Sequence, residues 1–348
     1  MSAKSPAAPA SQSLTLRPLV PRDLDAVAAI DATLSGRSRR AYFERRLAAT
    51  QRRPTLHTQF AVEERGVLLG YVFGRVLRGE FGRAEPAMRL EVIGVRADAQ
   101  GRGIGGMLNA AFEQDARRRG LRELRTTALW RAHGMMRFLD ANGWSLSRAF
   151  VVDCGLDELA RGEASLGASD ESPVLTPEHE RPSDQHDYGS APNANDFETL
   201  ARDLAEVRTL ALSDLDAVAR IDARLTGRDR REYIREKLDE ALIDAAIHVS
   251  LIAEKEGTTA GFLMATADHG DFGRTEPVAV IDTIGVDPNL AHRGVGHALL
   301  SQLFLNLRAL RIERVETVVG MNNVDLLGLL SAVGFRPSER LAFVKPLA

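Results

Sequence analysis

The stretch of sequence that decides the fold is Leu90-Glu-Val-Ile-Gly-Val-Arg-Ala-Asp-Ala-Gln-Gly-Arg-Gly-Ile-Gly-Gly106. It begins with the apolar, β-branched residues typical of a strand and passes into a turn that has four glycines within six residues. Apolar residues then recur at helical spacing as far as Arg119. Glycines let the backbone approach a ligand closely, and a helix N-terminus offers unpaired N–H groups at a positive dipole end. The stretch therefore predicts an anion site suited to a pyrophosphate, to which Arg102 adds a positive charge.

The chain is a duplication with an offset of 191 residues. Ser35–Tyr42 returns as Thr226–Tyr233, and Phe81–Pro86 returns as Phe272–Pro277. The unit is too long for a solenoid repeat, whose period is about 20–50 residues. The sequence therefore predicts two copies of one domain. The predicted division is a disordered tail over 1–13, a first domain over 14–156, a disordered acidic linker over 157–203 and a second domain over 204–348.

Composition and charge narrow the class of protein. The chain has 44% hydrophobic and 27% charged residues, which is ordinary for a globular protein. A formal net charge of −3 provides no positive field for nucleic acid, so no nucleic-acid partner is expected. Cys154 is the single cysteine, which excludes an internal disulfide and a thiolate zinc cluster, and no metal is expected. The use of one cysteine also makes a reduced, cytoplasmic setting the default expectation. No apolar run reaches the length of a membrane span, so we expect no membrane partner.

Apolar periodicity predicts the same order of elements in each copy: β, α, α, β, β, β, α, β, α, β, β. In the first copy, a strand over Met88–Val95 precedes the glycine-rich turn, and a long helix over Gly103–Arg119 follows it. Trp130 and Trp144 are expected in the core. Strands and helices mixed in this way predict an α/β domain.

The spacing of the glycine-rich turn carries a family resemblance. Gln100-Gly-Arg-Gly-Ile-Gly105 fits the pattern Gln/Arg-x-x-Gly-x-Gly/Ala and starts five residues after Val95. It resembles the acetyl-CoA pyrophosphate loop of the GNAT superfamily of acyl-CoA-dependent N-acyltransferases. A Rossmann domain needs another glycine spacing, and a Walker A loop needs Gly-Lys-Ser/Thr, which does not occur in this sequence.

The resemblance covers each copy over its whole length. It implies two tandem GNAT-like domains of the α/β (α+β) class. Each would have a mixed, mostly antiparallel sheet with a splayed central strand pair and flanking helices.

The resemblance also implies that acetyl-CoA binds as co-substrate, with its pantetheine arm along the splayed strand. In the first copy this assigns Ile93, Gly94 and Val95 to the pantetheine, and Gln100, Gly101, Arg102, Gly103, Ile104, Gly105 and Gly106 to the pyrophosphate. In the second copy it assigns Ile284, Gly285, Val286, His292, Arg293, Gly294, Val295 and Gly296. The second loop has Ala291 and His292 in place of Gln100 and Gly101. The pattern therefore favours binding by the first copy.

Acyl transfer to an amine requires the neutral amine. An alkyl ammonium with a pKa near 10.4 is neutral in about one molecule in two thousand at pH 7, and a positioned base relieves that limitation. The resemblance places Glu91 in this role, four residues before Val95, and Asp282 in the second copy. The structural alternative is a strand carboxylate that is exposed or ion-paired.

The family's usual proton donor to the leaving thiolate is a tyrosine, but this chain has Leu139 and Leu330 at the corresponding positions. Neither can donate a proton. Tyr42, Tyr233 and His133 are weaker candidates for the acid. A companion asparagine of the family persists as Asn323 in the second copy, and the resemblance adds it to the cofactor-binding residues.

Two motifs that occur in both copies are candidates for binding the acceptor: one spans 36–40 and the other spans 81–86. Arginines at fixed spacing suit carboxylate or phosphate recognition, and a glutamate attracts a cationic amine. The structural alternative is an Arg–Glu pair that fixes a loop whose turn is set by Gly and Pro. The candidate acceptor-binding residues are Arg37, Arg40, Tyr42, Arg83 and Glu85.

The sequence thus predicts an N-acetyltransferase that uses acetyl-CoA and a primary amine, which attacks directly in a ternary complex. The acceptor would be a small molecule or a protein amine. One alternative is a non-catalytic, acyl-CoA-binding regulatory or scaffold protein, motivated by the two leucines. Another is one active domain beside a degenerate structural one. The chain would act as a monomer with an internal pseudo-dimer, or as a homodimer.

Overall fold

The computed structural model describes residues 13–80, 85–156, 205–239, 249–269 and 277–347. The predicted linker, the predicted tail apart from residue 13, and the candidate residue Arg83 lie outside the described residues.

The first repeat forms the elements that its periodicity predicts. Its strands are β1 Thr15–Pro18, β2 His57–Glu64, β3 Val67–Leu77, β4 Ala87–Val95, β5 Glu123–Leu129, β6 Ser145–Leu146 and β7 Ala149–Gly155. Its helices are α1 Leu24–Ser35, α2 Arg40–Arg52, α3 Ile104–Arg118 and α4 His133–Ala141.

The second repeat follows the same order. Its strands are β8 Glu206–Thr209, β9 Leu251–Lys255, β10 Thr258–His269, β11 Pro277–Val286, β12 Arg314–Gly320, β13 Arg336–Pro337 and β14 Arg340–Pro346. Its helices are α5 Leu215–Thr226, α6 Arg231–Asp239, α7 Val295–Ala309 and α8 Val324–Ala332.

The strands build two seven-stranded, mostly antiparallel sheets. In the first sheet the parallel pair β4 and β5 is joined at Met88↔Leu124 and Arg89↔Arg125, and beyond these residues the two strands separate. The second sheet repeats this with β11 and β12, paired from Val278↔Arg314 to Val280↔Glu316. The predicted mixed sheet with a splayed central pair is therefore confirmed in both copies.

The two sheets exchange a strand. β14, from the second repeat, lies in the first sheet between β5 and β6, and β7, from the first repeat, lies in the second sheet between β12 and β13. We call the first sheet with α1–α4 the first domain, and the second sheet with α5–α8 the second domain. The sequence boundaries predicted above stay a prediction about the repeats, because each sheet combines strands from both.

The exchanged strands carry core residues with them. Phe343 of β14 is buried in the core that α3 covers in the first domain, while Val152 and Cys154 of β7 are buried in the core of the second domain. Arg340, buried at the start of β14, donates from Nη2 to the carbonyl oxygen of Thr127 at 3.2 Å. Each domain is therefore completed by the other repeat.

Both predicted core tryptophans can be placed. Trp144 is buried, and its Nε1 donates to Asn109 Oδ1 at 3.1 Å. Trp130 is 57% exposed, so its prediction as a core residue was wrong. It follows β5 directly, where the chain leaves the sheet for α4.

Candidate active site

The separation of β4 and β5 opens a groove in the first domain. The cavity there has a volume of about 690 Å³. β4 pairs with β3 along one edge up to Val95, but its pairing with β5 ends at Arg89, so the backbone beyond that point has a free edge towards the groove. An extended ligand can pair with such an edge in the way that an added strand does.

The glycine-rich loop closes one end of this groove. Gly101 and Gly103 have φ angles of +77° and +79°, a left-handed conformation that glycine adopts without strain. Gly103 is the N-cap of α3, and no side chain caps this helix end. Its first-turn N–H groups are therefore available to an anion at the positive end of the helix dipole. The residues present fit a pyrophosphate.

Nearly all the residues predicted to hold acetyl-CoA in the first copy surround this cavity. They are Ile93, Gly94, Val95, Gln100, Gly101, Gly103, Ile104, Gly105 and Gly106. Arg102 is the exception: its guanidinium reaches outward and pairs with Glu64 at 2.6 Å. That hydrogen bond holds the pKa of the Glu64 carboxyl below its usual range. The binding roles themselves stay predictions.

The second loop keeps the same backbone with different residues. His292 has a φ of +59° and Gly294, the N-cap of α7, has a φ of +82°. No side chain caps α7. Ile284, Gly285 and Val286 end β11, Arg293 precedes Gly294, and Val295 and Gly296 begin α7. Asn323 caps α8, where its side chain accepts a hydrogen bond from Leu326 N at 3.4 Å.

The lining of the groove also includes an ion pair that sequence reasoning missed. Arg39 Nε donates to Asp31 Oδ2 at 2.8 Å, and both side chains are buried. The Tyr71 hydroxyl donates to Asp31 Oδ1 at 3.1 Å and lies over Gly94. Burial, and then the Asp31 carboxylate, raise the pKa of Tyr71 well above its ordinary value, so this phenol is a permanent donor. The signal for the pair was its recurrence 191 residues later as Asp222 and Arg230.

The candidate base of the first domain lies at a β-bulge. Phe73 pairs with Val92 and Gly74 with Leu90, so that Glu91 is the extra residue between them. Glu91 is 1% exposed. Its Oε1 lies 3.1 Å from Arg46 Nη2 and 3.7 Å from Arg75 Nε. It is therefore an ion-paired strand carboxylate, and its catalytic role stays a prediction.

Asp282 occupies the equivalent bulge in the second domain, between the pairs Met264↔Thr283 and Ala265↔Ile281. Its Oδ2 lies 3.4 Å from Nζ of Lys237 on α6. Lys237 stands 191 residues after Arg46, so both repeats supply a cation from the second helix to the bulge carboxylate. As with Glu91, a catalytic role for Asp282 stays a prediction.

Glu80 of the first domain enters this second site. Its Oε1 lies 3.4 Å from Lys237 Nζ. Burial alone would raise the pKa of Glu80, but Lys237 and then Arg75 hold it below its usual value, so the carboxyl is charged. Since Arg75 also pairs with Glu91, buried charges of alternating sign run from one bulge carboxylate to the other. We call this set the ion chain; it consists of Arg46, Glu91, Arg75, Glu80, Lys237 and Asp282.

The candidates for binding the acceptor are dispersed. Tyr42 lies on the buried face of α2, packed edge-on against Phe43, and its ring has no exposed surface to offer an acceptor. Arg40 pairs with Asp25 on the exposed face of α1. Arg37 and Glu85 are exposed. Their roles stay predictions, and the structure does not bring them together.

The two positions at which the family usually has its tyrosine acid lie in apolar surroundings. Leu139 and Leu330 are fully buried in the two domain cores. Tyr233 is also buried, beneath the guanidinium of Arg230 at 4.6 Å from the ring centre. His133 begins α4.

The described residues lack the features of two other classes of site. No group of three or more His, Cys, Asp and Glu side chains within them is placed to hold a metal ion. Among the same residues, no helix combines the length and the apolar character that crossing a membrane requires.

A splayed strand pair, a glycine-capped helix and a groove between them define the class of acyl-CoA-dependent acyltransferase folds. The model of the acetyltransferase (GNAT) family matches residues 26–144 and 215–335, which is most of the chain. The chain belongs to the GNAT family and contains two tandem domains of it.

Solved structures show the same architecture. A tandem GNAT protein from the clavulanic acid biosynthesis pathway matches with a TM-score of 0.56 and 16% identity, over 97% of this chain and 99% of that chain. A GCN5-related N-acetyltransferase from Sphaerobacter thermophilus matches with a TM-score of 0.54 and 15% identity, over 96% of both chains. At these identities the likeness shows the shared fold. No curated protein matches the chain.

A third matching structure is a region of a multi-domain protein. The GCN5-related glucosamine N-acetyltransferase region of a fungal multi-domain GH3 β-N-acetylglucosaminidase matches with a TM-score of 0.60 and 14% identity. The match covers 96% of this chain, which spans 38% of that protein. The relationship is again one of fold.

Proposed function

We propose that this chain is an N-acetyltransferase that transfers an acetyl group from acetyl-CoA to a primary amine, and that the first domain holds the acetyl-CoA. The observation that carries the proposal is the groove of about 690 Å³ between β4 and β5, which ends at the uncapped N-terminus of α3. The backbone of Ile93–Val95 would pair with the pantetheine arm. The N–H groups beyond Gly103 would bind the pyrophosphate.

The reaction needs the thioester carbon and the amine nitrogen in contact. The nitrogen lone pair forms the C–N bond, the C–S bond breaks, and CoA leaves as its thiolate. A backbone N–H on the free edge of β4 would stabilise the negative charge on the carbonyl oxygen. Before the attack, the ammonium gives one proton to a base, for which Glu91 and Asp282 are the candidates. The nitrogen gives a second proton to solvent as the amide forms.

Leu139 and Leu330 stand where the family usually has its tyrosine acid, and neither side chain can donate a proton. A thiol with a pKa near 8.5 leaves tolerably without an acid, and the loss of acid catalysis costs about 10²–10⁴-fold in rate. We therefore expect a slow enzyme in which solvent protonates the thiolate.

The setting of this activity is part of the proposal. We infer that the chain works in the cytoplasm on a small-molecule or protein amine, without nucleic acid or a membrane as partner. The reciprocal strand exchange supports an internal pseudo-dimer, in which the two domains take the places of two subunits.

Calorimetric titration of acetyl-CoA tests the proposal in the full chain. Gly103→Glu places an anion where the pyrophosphate would lie, and we expect the affinity of the first site to fall by more than about 100-fold. Gly103→Ala is the matched control: it carries the same backbone strain at φ +79°, its Cβ meets no atom within 4 Å, and it adds no charge. Gly294→Glu and Gly294→Ala repeat the pair in the second loop.

The stoichiometry separates the alternatives. Two sites, each lost with its own glutamate, would mean that both domains bind acetyl-CoA. One site lost only with Gly103→Glu would make the second domain a structural support. Absence of binding would overturn the proposal.

A scaffold function is the second candidate, favoured by the buried Leu139 and Leu330 and by the ion-paired Glu91. It predicts acetyl-CoA binding without turnover. Release of the CoA thiol during incubation with a panel of primary amines discriminates between the two, since any amine-dependent release above the hydrolytic background contradicts the scaffold.

A further inference from the structure

A second cavity, with a volume of about 80 Å³, lies between the two domains. Liquid water occupies about 30 Å³ per molecule, so the space takes one small group and not a whole large acceptor. Its walls come from both domains, and residues of the exchanged strand β14 form part of them. The lining includes Glu80, Thr126 and Thr127 of the first domain and Asp282 of the second.

This cavity adjoins the proposed acetyl-CoA groove. Thr126 and Thr127 line it, and the next residues of β5, Ala128 and Leu129, line the groove. The two spaces are therefore lined by consecutive residues of the same strand. A group held in the smaller cavity is thus next to the base of the separated strand pair.

The two bulge carboxylates differ in the number of cations that pair with them and in their access to a cavity. Glu91 pairs with two cations, Arg46 and Arg75, and is not among the described residues that line either cavity. Asp282 lines the smaller cavity and pairs with Lys237. Lys237, however, lies at the same distance of 3.4 Å from Glu80. One positive charge is therefore divided between two carboxylates that both face the cavity.

One oxygen of the Glu80 carboxylate can still accept hydrogen bonds. Its Oε1 is buried and accepts no hydrogen bond from the described residues, although it pairs with Lys237. A buried carboxylate oxygen in this condition is stabilised by a ligand that brings N–H donors and a positive charge. A primary ammonium supplies both.

We propose that the cavity between the domains receives the ammonium end of a small or slender primary amine acceptor, that Asp282 pairs with it, and that Glu80 is a positioning residue that draws the charge of Lys237 away from Asp282. This rests on the proposed function. The first domain thereby contributes a residue to a site whose carboxylate belongs to the second. Arg89 and Arg125 also line the cavity, so acceptors that carry a second positive charge near the amine are disfavoured.

The test uses n-butylammonium as the probe, with binding to the full chain followed by ligand-observed NMR. n-Butanol, which has the same shape without the charge, is the control ligand. Glu80→Gln leaves Lys237 to Asp282 alone and should weaken n-butylammonium binding about tenfold. Lys237→Met removes the competing cation and should tighten it. Binding of n-butanol should change less than about twofold in both variants.

Glu236→Gln is the matched control variant. Glu236 precedes Lys237 on α6 and pairs across the same interface with Arg78 at 2.6 Å, outside the ion chain. It should leave n-butylammonium binding unchanged. A purely structural role for Glu80 predicts instead that Glu80→Gln and Lys237→Met weaken binding together, in step with their melting temperatures. That result overturns the proposal, and so does absence of n-butylammonium binding to the unmodified chain.

Acetyl transfer to n-butylamine, followed by CoA thiol release, separates this proposal from the function on which it rests. We expect Glu80→Gln to raise the KM for the amine about tenfold and to change kcat less, with Glu80→Asp restoring part of the loss. Transfer that is indifferent to Glu80 and Asp282 overturns the acceptor site and leaves the acetyltransferase. Normal n-butylammonium binding without transfer to n-butylamine or to any amine of the panel overturns the acetyltransferase and leaves the site.

Discussion

The two glycine-rich loops share a backbone and differ in the residues that form it. Gly101 and His292 stand at equivalent places with φ angles of +77° and +59°, and Gly103 and Gly294 both cap a helix in the left-handed conformation. A non-glycine residue there costs about 1–2 kcal/mol. The second domain accepts this strain and keeps the anion-binding shape of the loop. The second loop thus has the backbone geometry of the first without its full glycine pattern. Substitutions at other pairs of equivalent residues test which interactions each domain depends on.

The largest effect is expected from the exchanged strands. Phe343 of the second repeat fills the first domain, and Val152, its equivalent in the first repeat, fills the second domain. Phe343→Ala should destabilise the first domain by about 3–5 kcal/mol because it leaves a cavity in a packed core. Val152→Ala should destabilise the second domain, by less. Hydrogen exchange of peptides from α3 and α7 locates the damage in each variant.

The exchange of strands would be contradicted by the opposite distribution. Loss of protection in α7 with Phe343→Ala, and in α3 with Val152→Ala, would mean that each strand stays in its own repeat. Equal loss in both helices would mean that the domains unfold as one cooperative unit.

A smaller effect is expected where the two domains differ by one hydroxyl. Tyr71 donates to Asp31, whereas the equivalent residue of the second domain, Phe262, has no hydroxyl that could donate to Asp222. Tyr71→Phe removes a hydrogen bond to a charged group and should cost about 1.5–3 kcal/mol in the free energy of unfolding by urea. Phe262→Tyr is the reciprocal variant. A neutral Tyr71→Phe would show that the Arg39 pair alone satisfies Asp31.

The smallest effect on stability is expected from substitutions at the equivalent loop positions 101 and 292. His292→Gly relieves backbone strain but adds disorder to the unfolded chain, and the difference should stabilise the protein by about 0.5 kcal/mol. Gly101→Ala should destabilise it, because the same conformation becomes strained. Urea denaturation of the two variants checks both signs. Destabilisation by His292→Gly would mean that the histidine side chain makes a contribution larger than its strain.

The sequence predicted the order of elements, the separated strand pair and the turn because each has a local signature: a period of 2 or 3.6, or a cluster of glycines. It did not predict the strand exchange. Residues Ala149–Gly155 and Arg340–Pro346 are equivalent strands, and either one satisfies the pattern of either sheet. Local pattern contains no information about which of two equivalent places a strand takes.

The site was predictable to the extent that it is made of backbone. The residues lining the groove follow from the loop and from β4, whereas the partners of Glu91 and Asp282 come from α2, β3 and α6, far away in the sequence. Arg46 and Lys237 recur at the offset of 191 and keep their charge, which was the available signal. Glu80 also recurs at this offset, as Asp271, but its pairing with Lys237 exists only because the domains meet, so the recurrence did not indicate that contact.

The strand exchange sets the order in which the protein can be completed during synthesis. β7 emerges from the ribosome with the first repeat, but its final place lies in a sheet whose other strands are not yet made. The strand that belongs beside β5 follows about 185 residues later, which takes about 10–40 s at 5–20 residues per second. In that interval β7 has none of its final strand neighbours to pair with, and β5 is without β14.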